Sequence, residues 1–158
     1  MKRIVQIAAV CTFSLWTSGT VAAAGQRCAR VNGHFEATVV PAGTGHCPAG
    51  APFCTAGRVW GGIQGNYEFV MSGATSAATL GGTPTVLFYT GTSVVSLKNG
   101  ATTTGTDTGA IDLPPGAGGF ASLITFTTGG TGQLRLNGEL DAASGTTSGD
   151  YTGTFCSA

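Results

Sequence analysis

From Gln133 to Asp141 the chain reads QLRLNGELD, and its side chains alternate in character at every step. Leu134, Leu136 and Leu140 fall on one face; Gln133, Arg135, Asn137, Glu139 and Asp141 fall on the other. Successive side chains of a strand point to opposite faces, so this period of two demands a sheet with one buried and one wet side. The same period recurs along the chain, and no segment keeps a 3.6-residue apolar repeat for three turns. Glycine accounts for 27 of 158 residues, with threonine close behind, and both disfavour helix. The chain is therefore all-β.

Six further segments read as strands. HFEATVV (residues 34–40) comes first, followed by a long run from Arg58 to Met71, RVWGGIQGNYEFVM. In that run Val59, Ile63, Tyr67, Phe69 and Met71 share a face, while Gln64, Asn66 and Glu68 take the opposite one. Pro84 to Lys98 is another, with Gly91 placed for a bulge. It ends at Asn99-Gly100, the signature of a two-residue type I′ hairpin, and ATTTGTDTGAID returns. DLPPGAGG reads as a loop, Phe120 to Thr127 as a strand, and SGDYTGTF as the last one. Short turns between about seven strands favour an antiparallel up-and-down barrel of seven to eight strands. Such a barrel closes with an even count, so seven implies either one more strand or an open sheet.

The first 24 residues stand apart. Lys2 and Arg3 precede an apolar stretch from Ile4 to Trp16, and Ala22-x-Ala24 offers a small-residue cleavage site. This is the order of a secretory signal peptide, and the apolar stretch is too short to span a bilayer. The expected organisation is a signal peptide at 1–24 and a single barrel domain at 25–158. The product is secreted or periplasmic, with no transmembrane segment once the signal is removed. All seven acidic residues lie beyond position 24, but Lys2 and Arg3 are two of the seven basic ones. The remainder is thus mildly acidic and has no basic stripe for nucleic acid.

Removing the leader also removes Cys11 and leaves Cys28, Cys47, Cys54 and Cys156. An even number in an exported chain reads as two disulfides, with three connectivities open. Cys47 and Cys54 share one Pro/Gly loop, HCPAGAPFC, which favours a local bridge. By elimination Cys28 then joins Cys156, a bridge that depends on barrel closure. Neither the C-x6-C spacing nor His46-Cys47 fits a zinc finger, so no metal is expected.

Few residues carry recognisable chemistry. GGTGQ at Gly129–Gln133 lacks the lysine and the following helix of a phosphate loop, and Leu134 stands where a calcium β-roll needs aspartate. Those glycines read as turn geometry, and no cofactor motif is present. His34 and His46 show no metal or protease spacing, and no G-x-S-x-G elbow exists. Glu139 and Asp141 share a strand face with Arg135, and Glu68 lies on the polar face of another; all four read as a solvated outer surface. Asp107 and Asp112 flank a turn-prone stretch and read as loop hydrogen-bonders rather than calcium ligands. Ile63, Tyr67, Phe69, Phe120, Phe126 and Tyr151 are the candidate lining of a ligand cavity, within an apolar row that also holds Ile124 and Phe155. Tyr67 and Tyr151 would be its polar handles.

The motifs CPAGAPFCTAGRVWGGIQGNYEF, LFYTGTSVVSLKNGATTTGTDTGAID, GFASLITFTTGGTGQLRLNGELD and GDYTGTFC, in this order, resemble an uncharacterised family of secreted bacterial proteins. More distantly the chain is similar to the allene oxide cyclase and dirigent-like barrels. That resemblance implies eight strands around a small-molecule pocket. It brings no catalytic residue to a numbered position, because Gly132 runs directly into QLRL where those barrels continue through an aromatic residue and Ala-x-Gly.

Three functions are compatible with these features. The favoured expectation is a non-catalytic binding or surface module with room for a small apolar molecule. The alternatives are a cofactor-free cyclase- or isomerase-like enzyme acting on a small hydrophobic substrate, and a solidly packed structural or self-associating protein. A filled interior would count against both ligand readings. An open cavity with a buried Glu, Asp or Arg would move weight to the enzyme.

Overall fold

The computed structural model of the chain describes residues 27–113 and 117–157. The expected signal peptide at 1–24, with Cys11, and part of the expected DLPPGAGG loop lie outside the described residues. Eight strands follow in order: β1 (Arg27–Val39), β2 (Cys54–Gly61), β3 (Gly65–Ser76), β4 (Val86–Leu97), β5 (Thr102–Asp112), β6 (Ala117–Thr128), β7 (Gly130–Asp141) and β8 (Thr146–Ser157). Each pairs antiparallel with its sequence neighbours, and β1 pairs with β8, which closes the barrel. Closure leaves no free sheet edge.

The eighth strand comes from the long run Arg58–Met71, which is two strands and not one. It breaks at residues 62–64, where Gly61 takes a φ of 110°. The apolar phase carries through the turn, with Val59, Ile63, Tyr67, Phe69 and Met71 all buried, so alternation alone hides the break. Two local expectations also change. Asn99 is not at positive φ; Gly100 alone is, at 86°, and the Asn99 side chain accepts from the Ala101 amide at 3.0 Å. The hairpin is therefore a wider turn than type I′. The bulge beside Gly91 belongs to the partner strand, where register slips between Met71 and Gly73.

The barrel has two unlike ends. At one, tight connections at 62–64, 98–101 and 129 join the strands, and the beginning of β1 meets the end of β8. Gly129, with φ of 70°, makes the shortest of these possible. The Cys28–Cys156 disulfide lies there, between residues directly opposite in the β1–β8 ladder. At the other end the connections 40–53 and 77–85 are longer. The Cys47–Cys54 disulfide folds the first of them down, and a 3-10 turn, Ala77–Leu80, occupies the second. Two disulfides in so small a domain point to an oxidising compartment, extracellular or periplasmic.

Inward-facing side chains fill the barrel. Val31, Phe35, Val59, Ile124, Phe126, Leu134, Leu136 and Tyr151 are all buried. Eight strands give an interior that side chains just fill, or that holds one small ligand. The two ends choose differently.

Candidate functional site

The closed end is packed tight. Tyr151 on β8 points its hydroxyl at the β2–β3 turn, accepting from the Ile63 amide at 2.7 Å and facing the carbonyls of Ile63 and Trp60 at 3.2 and 3.3 Å. The ring fits because Gly33 lies opposite on β1; a side-chain carbon there would come within 2.6 Å of the hydroxyl. Phe126 and Phe155 stack edge-to-face at 5.5 Å. A void of about 20 Å³ lies there, lined by Ile63, Val95, Ile124, Tyr151 and their neighbours. That is room for a water and nothing larger.

Phe35, Tyr67 and Leu136 form the partition between this void and a larger cavity toward the open end. The cavity measures about 240 Å³. Phe69, Tyr89, Ile111, Phe120 and Leu140 form its walls, and Pro52, Phe53 and Leu113 reach it from the open end. Of the sequence-predicted lining residues, Tyr67, Phe69 and Phe120 face this cavity, Ile63 and Tyr151 belong to the closed end, and Phe126 packs against Phe155.

One charged side chain stands in the cavity wall. Asp107, on β5, is 2% exposed. This corrects the expectation of a loop hydrogen-bonder: the residue lies mid-strand and faces inward. Its register explains the burial, because Thr103, Gly105, Asp107, Gly109 and Ile111 occupy one face of β5 and Thr103, Asp107 and Ile111 are all buried. In the ladders Asp107 pairs with Gly91 on β4 and with Ile124 on β6. Ser93 and Ser122 sit two residues along those strands, diagonal positions within side-chain reach. Ser93 Oγ donates to Asp107 Oδ2 at 2.7 Å, and Ser122 Oγ donates to Oδ1. The Tyr67 hydroxyl lies 3.3 Å from Ser93 Oγ. Because that serine's proton goes to Asp107, Tyr67 is the donor in this contact. The result is a chain of hydroxyls from β3 through β4 to the carboxyl on β5, met from β6 by Ser122.

Burial pushes the Asp107 carboxyl above the usual carboxylate range, and hydrogen bonds from Ser122 and Ser93 pull in the other direction. Burial also raises the Tyr67 and Tyr89 hydroxyls, and the nearby Asp107 charge adds to the effect, so both phenols stay protonated. Among the described residues no lysine, arginine or histidine lines the cavity. His34 pairs with Asp150 on the outer surface, and His46 lies 3.3 Å from the Phe69 carbonyl in the cysteine loop.

The other carboxylates stay outside. Glu139, Asp141 and Arg135 are exposed on β7, and Glu68 is half-buried on β3. Asp141 shapes the β7–β8 turn: Ser144 Oγ donates to it at 2.8 Å and the Ala143 amide at 2.9 Å, which lowers its pKa. Asp112 is exposed at the end of β5. Among the described residues no three His, Cys, Asp or Glu side chains gather as a metal site.

The open end differs in one further respect. Among the described residues, Val39, Leu80, Phe88 and Leu113, four of the five large apolar side chains left exposed, belong to this end; Trp60 belongs to the other. No protein-family model, curated protein or solved structure matches the chain.

Proposed function

We propose that the protein is an exported binding barrel that holds one small, largely apolar molecule in its open-end cavity. The observation that carries this reading is the cavity itself. A space of about 240 Å³ is left unfilled beside a closed end packed to the last water-sized gap. An apolar cavity of ~150 Å³ admits a benzene ring, so this one has room for a ring with a short tail. Aromatic and aliphatic walls with a few convergent polar groups are what a ligand pocket requires. The disulfides and the basic-then-apolar leader support export. The resemblance to allene oxide cyclase and dirigent-like barrels is part of the same reading, since those barrels also carry a small-molecule pocket.

The test is native mass spectrometry of the protein from its own host, paired with titration by 2-phenylethanol. We expect a retained small molecule, or saturable one-to-one binding that Thr147→Phe abolishes by placing a ring in the cavity. If nothing is retained and no small apolar molecule binds, the packed structural reading replaces this one.

Asp107 favours a second reading, a cofactor-free cyclase or isomerase. A buried carboxyl whose pKa is raised by burial suits general acid–base catalysis, and the cavity would hold a hydrophobic substrate against it. The binding reading stands first because both carboxyl oxygens are already engaged by serines, and among the described residues no second charged group faces the cavity to stabilise charge developing in a transition state. Asp107→Asn separates the two: an enzyme loses turnover but keeps the substrate.

A further inference from the structure

The polar end of the cavity centres on a single acid, Asp107. It brings an ionisable group into an apolar pocket, and no described residue of the lining supplies a counter-charge. The groups facing it are the hydroxyls of Tyr67 on β3, Tyr89 and Ser93 on β4 and Ser122 on β6. The serine protons are committed to the carboxyl, and the Tyr67 proton to Ser93. What Asp107 has left to offer a guest is its remaining lone pairs, because an ionised carboxylate only accepts. An ionised carboxylate without a cation is expensive to bury, which is why burial holds this group toward its neutral form.

The geometry points to a ligand that supplies the missing cation: a small amine whose ammonium group bonds Asp107 while its aromatic or aliphatic body lies among Phe35, Phe69, Tyr89 and Phe120. This inference rests on the proposed binding function and names the ligand class for that same cavity. Three features converge on an ammonium. Its N–H donors match the vacant lone pairs. Its charge pairs with Asp107, the only charged side chain among the described residues of the lining. The surrounding rings present faces that attract cations, and Tyr67 and Phe69 stand on the strand next to Ser93. An anionic ligand would meet a like charge at Asp107. A neutral alcohol gains a hydrogen bond but leaves the carboxyl without its partner charge. When the ammonium enters, any proton on Asp107 passes to solvent, so uptake of the amine releases protons.

The experiment compares three ligands of one shape on the intact, oxidised protein: 2-phenylethylamine, 2-phenylethanol and 3-phenylpropionate. Titration calorimetry at pH 8, and again at pH 5 in two buffers of different ionisation enthalpy, reads affinity and proton release together. We expect the amine to bind at least tenfold more tightly than the alcohol, and the acid least of all. Amine binding should weaken on acidification, with net proton release at the lower pH. In Asp107→Asn the amine preference should vanish while alcohol binding stays within about threefold of wild type. The wild-type ligand series decides the matter even if that variant fails to fold. A preference below tenfold, or one that survives in Asp107→Asn, overturns the ammonium assignment and leaves the binding cavity standing. Failure of all three ligands to bind overturns the cavity reading, and the amine with it.

Discussion

The two ends of this barrel are built from the same eight strands and solve opposite problems. The closed end uses hairpins of a few residues, a disulfide across the seam between first and last strands, and a tyrosine whose hydroxyl ties the β2–β3 turn to β8. The open end uses longer connections, one of them held by its own disulfide, and stops short of filling its interior. Both ends contain a buried polar side chain. Tyr151 is satisfied by backbone groups and adds rigidity. Asp107 accepts from two serines, and no described side chain in the cavity lining supplies a charge to balance its ionised form. The contrast teaches that the closed end is built for stability, while the open end keeps a costly group that stability alone does not explain.

This contrast can be broken one end at a time. The largest expected loss follows Cys28→Ser with Cys156→Ser. The bond spans 128 residues, for which chain entropy gives about 5 kcal/mol, against about 2.5 kcal/mol for the 7-residue span of Cys47–Cys54. Urea unfolding of the two double variants should therefore rank the seam above the loop. Ligand binding should rank them in reverse, because Cys47–Cys54 positions Pro52 and Phe53 at the cavity. Equal stability losses, or unchanged binding after the loop disulfide is removed, would erase the division of labour.

Tyr151→Phe comes next. It leaves the buried Ile63 amide without its acceptor, at a cost of about 1–3 kcal/mol, and should not alter binding at the open end. A change in affinity equal to that of a cavity-wall substitution would show that the partition of Phe35, Tyr67 and Leu136 does not insulate the two ends.

The smallest effect concerns pH. A group whose folded pKa is raised stabilises the fold fully below its unfolded value and loses that contribution as pH rises through the folded one. Unliganded wild type should thus lose stability relative to Asp107→Asn as pH rises above the unfolded carboxyl value. The thermal midpoints of the two should converge on acidification to about the unfolded carboxyl pKa of ~3.9. A gap that widens toward low pH would mean that the serine hydrogen bonds outweigh burial.

Much of the fold was legible in the sequence because period-two alternation reports which face is buried, and β7 shows it without a break. The same signal failed at residues 62–64, since Ile63 keeps the apolar phase through a turn whose only local mark is Gly61-Gly62. The first strand extends back to Arg27, beyond the HFEATVV segment, because its pairing with β8 reaches Ser157. The cavity was less legible. Which inward residues fill space and which leave it depends on what stands opposite, as Gly33 does for Tyr151 and Gly109 for the Tyr89 hydroxyl. Asp107 was misread as a loop residue because threonines and glycines surround it. One signal was present: it shares its alternation phase with Ile111, which makes it an acid on an inward row.

The most direct test of the account is amide shift mapping on the isotopically labelled protein during titration with 2-phenylethylamine. The account predicts saturable changes at Phe53, Thr55, Leu87, Asp107 and Leu140 around the open end, with Ile63, Tyr151 and Phe155 unmoved. Shifts centred on the closed end or scattered over the outer face would contradict it.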